Sequence, residues 1–130
     1  MELSPRDLAL RVAQILSDKK ASDVEVLEIG DLTVLADYFV ICTGMSSTQV
    51  RSLAEEVEFK LSEQGIEPHH IEGHRSTTWI LLDYSSVVVH VFYKESRDFY
   101  RLEHMWADAK RLVLPEAPRE APSVSPTETP

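Results

Sequence analysis

Asp37 to Thr43 constrains the chain more than any other stretch, because Tyr38-Phe39-Val40-Ile41-Cys42 is apolar or aromatic without a break. Strict alternation would mark a strand with one wet face. An unbroken run of this length reads instead as a central strand buried on both faces, so a sheet frames the fold. The next residues fix its surroundings. Gly44-Met45 spells a turn, and Ser46-Ser47-Thr48-Gln49 spells a capping box opening a helix. Val50, Leu53, Ala54, Val57 and Leu61 form the buried stripe of that helix, Gly65 its C-terminal stop, and Pro68 comes shortly after.

The remaining elements are read by the same rules. Ser4-Pro5 is an N-cap followed by proline at the first helical position. Leu8, Val12, Ile15 and Leu16 recur as one stripe of that first helix, and Lys19-Lys20 suit its C-terminal end. Asp23 to Ile29 mostly alternates and reads as a strand before Gly30-Asp31, while Leu32 to Ala36 leaves its element open. Three short strands are expected at His69 to Glu72, Thr77 to Tyr84 and Ser86 to Tyr93, the last two an antiparallel hairpin about Tyr84-Ser85-Ser86. A last helix is expected from about Arg97, with Phe99, Leu102 and Trp106 as its stripe. The order α-β-β-α-β-β-β-α specifies an α/β (α+β) fold, a single mixed β-sheet of about five strands flanked by helices.

Length and charge bound the function. The chain has 130 residues, one domain's worth, with 13 Lys+Arg against 22 Asp+Glu and a net charge of −9. Residues 115–130 hold five of the seven prolines and one sizeable apolar residue, Val124, so they read as a disordered acidic tail outside a folded domain at 1–114. The tail carries −2, from Glu116, Glu120 and Glu128 against Arg119, which leaves −7 on residues 1–114. That excess argues against direct sequence-specific nucleic-acid binding, which needs Lys and Arg clustered on one face, and fits a basic protein partner. No apolar run approaches the ~20 residues of a membrane span, and Met1 to Lys20 resembles neither a secretory nor a transit segment. With Cys42 the single cysteine, a disulfide within the chain and a cysteine-based zinc cluster are both excluded, and a cytoplasmic location is expected.

Candidate chemistry is sparse. His69, His70 and His74 tempt a metal reading, but they flank Gly73 in a strand-and-turn context where they need not converge, and Glu72 is the one close carboxylate. They read as solvated loop histidines, and no metal or cofactor is expected. The Gly44 to Thr48 turn sits where a helix N-terminus can cradle a phosphate, which keeps open a nucleotide-using transferase. It lacks the lysine and glycine spacing of a phosphate-binding loop, and no strand-borne carboxylate pair comes after it to hold magnesium. Ser46 or Ser47, His90 and Asp83 supply the residue types of a hydrolytic triad without a nucleophile elbow, and Cys42 reads as a small buried hydrophobe. The chain reads as a non-enzyme.

The informative stretch is Trp79 to Trp106. In the first hairpin strand Trp79, Leu81 and Asp83 share one face, and in the second Val88, His90 and Phe92 do. The opposite face carries Ile80, Leu82, Tyr84, Val87, Val89 and Val91, suited to a core. If the first face is uncovered, it is an aromatic patch with polar groups inside it, the composition of an interface hot spot. The competing reading buries both faces and pairs Asp83 with His90 across the strands. A homodimeric adaptor using this sheet face is also open.

In its context this stretch resembles the ribosomal silencing factor family, also called Iojap-related. The resemblance rests on Asp37-Tyr38-Phe39-Val40-Ile41-Cys42-Thr43-Gly44 with Ser46-Ser47, on Glu72-Gly73, and on Trp79 through Tyr84. Val87 through Phe92 with Glu95, Arg97, Tyr100, Leu102-Glu103 and Trp106 complete it. It covers about residues 4–108 and leaves the tail outside. The resemblance implies a nucleotidyltransferase-like fold without the catalytic acids. It also implies a factor that docks on large-subunit ribosomal protein fourteen, blocks joining of the small subunit and lowers translation when nutrients run short. The interface expected from it and from the hairpin pattern is Glu72, Trp79, Leu81, Asp83, His90, Phe92 and Glu95, with Arg97 and Tyr100 bracing the hairpin; a homodimer is a further possibility for the free protein.

Overall fold

A computed structural model describes residues 3–30, 36–73, 79–94 and 110–112. Helix α1 spans Pro5–Asp18; the Ser4 hydroxyl accepts from the Asp7 N–H at 3.1 Å, and Pro5 occupies the first turn. Strand β1 covers Ser22–Glu28 and β2 Tyr38–Gly44, followed by helix α2 at Ser47–Ser62. Strands β3 (His70–Glu72), β4 (Trp79–Asp83), β5 (Val87–Tyr93) and β6 (Lys110–Leu112) complete the described elements.

The strands form one six-stranded sheet in the order β3-β4-β5-β2-β1-β6. The central pair β2 and β5 is parallel and every other neighbouring pair antiparallel, so the sheet is mixed as expected. All seven residues of β2 are buried, as its unbroken apolar run requires. The hairpin β4–β5 turns at Tyr84-Ser85-Ser86, with Ser85 at φ 72° and its N–H on the Asp83 carboxylate at 2.8 Å. β6 is an addition to the expected strands: among the described residues Lys110–Leu112 pairs with Val26, Leu27 and Glu28 beside β1. The helix expected from Arg97 falls outside the described residues, as does the tail.

Two apolar clusters divide at the sheet. On one side Leu8, Val12 and Leu16 of α1 and Val50, Leu53, Val57 and Leu61 of α2 pack on Val26, Val40, Cys42, Ile80, Leu82, Val89 and Val91. Burying each large aliphatic side chain there contributes roughly 1.5–3 kcal/mol. On the other side Leu27, Ile29, Phe39, Ile41, Val88 and Phe92 form a second cluster, with Trp79 and Leu81 packed partly buried against it. Neither α1 nor α2 contributes a residue to that second cluster.

Candidate functional site

Strand register assembles the site on the sheet face away from α1 and α2. Directly opposed residues in neighbouring strands lie on the same face. One row therefore runs Glu72, Leu81, His90, Ile41, Glu25, and a second runs His70, Asp83, Val88, Phe39, Leu27. Trp79 lies opposite Phe92 at the end of the hairpin. Trp79, Leu81 and Asp83, expected on one face, are all half-buried there, and Glu72 is exposed beside Leu81.

An aromatic stack lies on this face. The Trp79 ring lies 5.6 Å from Phe92 at 15° and 5.9 Å from His90 at 19°, while Phe39 meets His90 edge-on at 4.7 Å. Offset stacking of this kind adds about 0.5–1.5 kcal/mol per pair beyond simple burial. The Trp79 indole N–H donates to His90 Nδ1 at 3.2 Å, which fixes the imidazole proton on Nε2. That Nε2 is buried without a hydrogen-bond partner among the described residues. Burial drives the His90 pKa from 6.5 down to about 3, so the ring is neutral and keeps Nδ1 as an acceptor.

His90 and Phe92 were expected at the interface itself. They are 4% and 0% exposed and lie beside Leu81 and Trp79 on the neighbouring strand, so they pack against those two side chains. Nor does Asp83 pair with His90. Its carboxylate accepts from the Ser85 N–H at 2.8 Å, and its other oxygen lies 3.7 Å from His70 Nδ1. Glu95, Arg97 and Tyr100 lie outside the described residues.

Gly73 positions the tryptophan. It sits at φ +73°, and a Cβ there would run into the Trp79 carbonyl oxygen, so the backbones at the end of β3 and the start of β4 approach as only glycine allows. Sequence reasoning missed five members of this face, Glu25, Leu27, Phe39, Ile41 and His70. Phe39 and Glu25 come to it through pairings with β5 and β2 that no local pattern announces. His70, read as a solvated loop residue, lies on β3 with its Nε2 3.0 Å from a Glu72 carboxylate oxygen. The alternation His70-Ile71-Glu72 beside Asp83 was the available signal.

The turn weighed for phosphate binding is occupied by the chain itself. The Ser46 hydroxyl accepts from the Gln49 N–H at 3.1 Å, and Gln49 Oε1 accepts from the Met45 N–H at 2.7 Å. The capping glutamine thus reaches one residue beyond the usual capping-box position, and its Nε2 donates to the Lys20 carbonyl at 3.3 Å. Gly44 is small because Val50 packs on it: an added Cβ would lie 2.8 Å from Val50 Cγ2. These groups serve helix capping and packing. Among the described residues no three His, Cys, Asp or Glu side chains are grouped to hold a metal ion, and no helix is long and apolar enough to cross a membrane.

Comparison with known proteins shows the family of the chain. The family model described as ribosomal silencing factor during starvation matches residues 2–130, running beyond the 4–108 stretch that the motifs delimit. The ribosomal silencing factor of Halalkalibacterium halodurans is 39% identical over 112 residues, covering 86% of this chain and 96% of its own. That of Bacillus subtilis is 41% identical over 97 residues, 75% of this chain and 82% of its own. A crystal structure of a Chromobacterium violaceum protein has a TM-score of 0.78 at 32% identity, covering 88% of this chain and 95% of that one. With the family model matched from residue 2 to residue 130, the chain belongs to the ribosomal silencing factor family.

Proposed function

We propose that this ribosomal silencing factor docks on the large ribosomal subunit through large-subunit ribosomal protein fourteen and sterically blocks association with the small subunit, lowering translation under nutrient limitation. The reading places its action in the cytoplasm and needs no catalytic step or cofactor. One observation carries it: Trp79 and Leu81 are half-buried beside the buried rings of His90 and Phe92, with the carboxylates of Glu72 and Asp83 next to Leu81, on a face to which α1 and α2 contribute nothing. A ring already held by stacking and by His90 loses little freedom on docking, which favours affinity. Each Å² of apolar surface that Trp79 and Leu81 bury against the partner contributes ~25 cal/mol. The two carboxylates match a basic protein surface and set orientation and on-rate more than affinity.

The test is co-sedimentation with separated large and small subunits. Binding to the large subunit alone is the expected result. Self-association with neither subunit bound would favour the homodimeric adaptor and overturn this reading.

A further inference from the structure

We propose that a cavity walled by Tyr84, on the helical side of the sheet, is a binding site for a primary ammonium carried on a short apolar chain. The cavity has a volume of about 500 Å³, within the range of small-molecule sites. Leu3 and Leu8 at the start of α1, Gln64, Ile66 and Glu67 beyond the end of α2, and Tyr84 at the hairpin turn line it. Tyr84 is 6% exposed, and its hydroxyl is buried without a hydrogen-bond partner among the described residues. A buried hydroxyl left so is destabilising and uncommon in native proteins. The turn holds the residue in place: its N–H donates to the Val87 carbonyl and its carbonyl accepts from the Ser86 N–H, both at 2.9 Å. Tyr84 and Leu8 belong to the apolar cluster of α1 and α2, so the cavity lies across the sheet from the ribosomal docking face and is independent of it.

Charge selects the ligand. Burial pushes the Tyr84 pKa well above its usual value, and the charges of Glu58 and Glu67 push the same way. The phenol therefore keeps its proton, and its oxygen keeps lone pairs that can accept a hydrogen bond. Neither acid forms an ion pair among the described residues, and Glu67 accepts from the Ser62 hydroxyl at 2.7 Å. The two charges that disfavour a phenolate also repel any other anion at the hydroxyl and favour a cation there. An ammonium carries three N–H donors on one small centre, so a single group serves both the Tyr84 oxygen and the Glu67 carboxylate. A chain of a few methylenes then covers Leu3, Leu8 and Ile66. A neutral alcohol satisfies the hydroxyl but leaves both carboxylates uncompensated. Free alkylamines and lysine side chains both carry the required group, and the experiment separates them.

The test is an NMR titration of the full chain with butylammonium chloride, butanol and Nα-acetyl-lysine methylamide at constant ionic strength, read at the Leu8 and Ile66 methyl groups. Saturable shifts with butylammonium, and weaker binding of butanol, are expected. Tyr84→Phe deletes only a hydroxyl that holds no hydrogen bond in the fold, and should bind butylammonium about tenfold more weakly. Glu67→Gln keeps an acceptor for Ser62 and should bind about two- to fivefold more weakly. Glu67 is exposed, so that variant carries the test whatever Tyr84→Phe does to folding. Tighter binding of the lysine derivative than of butylammonium marks a lysine side chain as the source, and weaker binding a free amine; both support the site. The proposal is overturned by the absence of a saturable shift, by butanol binding as tightly as butylammonium, or by either folded variant binding butylammonium as tightly as the native chain.

Discussion

At position 90, burial and hydrogen bonding act on the same ring. His90 is held neutral with its pKa down at about 3, whereas the unfolded chain takes up a proton below 6.5. The unfolded state therefore binds more protons than the folded state between those values, and stability falls as pH drops below about 6.5. At pH 5 this amounts to roughly 2 kcal/mol. His90→Asn removes the titration and leaves an amide oxygen near the place of Nδ1 to accept from Trp79. The fall in melting temperature between pH 7 and pH 5 should be shallower in that variant than in the native chain, and equal slopes would count against a neutral buried ring. Gly73 acts at the same scale. Gly73→Ala places a Cβ against the Trp79 carbonyl at φ +73°, and should cost at least about 1 kcal/mol in urea unfolding while weakening large-subunit binding. A variant as stable and as competent as the native chain would show that the close approach does not position Trp79.

Both helices end in the same hydrogen-bonded motif, and only one of the two endings was legible. After α2, Gly65 at φ +80° donates to the Ser62 carbonyl and Ile66 to that of Leu61. After α1, Lys20 at φ 69° donates to Ser17 and Ala21 to Leu16. Glycine announces the left-handed position, whereas lysine fills it at some strain and leaves no signal. Lys20→Gly should therefore raise stability by about 1 kcal/mol in urea unfolding, since the Gln49 bond goes to the backbone carbonyl and survives. No gain would mean that Lys20 is unstrained there. The stripes of both helices, the central strand and the hairpin could be read because their patterns are local. β6 could not: Lys110–Leu112 pairs with Val26, Leu27 and Glu28, far away in the chain, and β propensity is decided largely by such context. The face shared by β2 and β5 was hidden for the same reason, as a parallel pairing joins segments far apart in the chain.

For the whole molecule, charge and shape divide the work of recognition. With −9 overall, the protein repels nucleic acid and attracts a basic partner over the range at which salt screens charge, ~8–10 Å at physiological ionic strength. Large-subunit affinity should fall as salt rises from about 50 to 300 mM, mainly through a slower on-rate, and salt-independent affinity would remove the role given to Glu72 and Asp83. The Trp79 to Phe92 hairpin face was visible in the sequence as alternating residues, but its depth was not. Alternation tells which residues share a face without telling how far each is buried, and so His90 and Phe92 read as contact residues when they are buried. The central claim is that Trp79 anchors a steric block. A subunit-joining assay with the native chain and Trp79→Ala, each confirmed folded by circular dichroism, tests it most directly. The account predicts that the native chain inhibits joining and that the folded variant does not; a folded Trp79→Ala that inhibits as strongly as the native chain would contradict it.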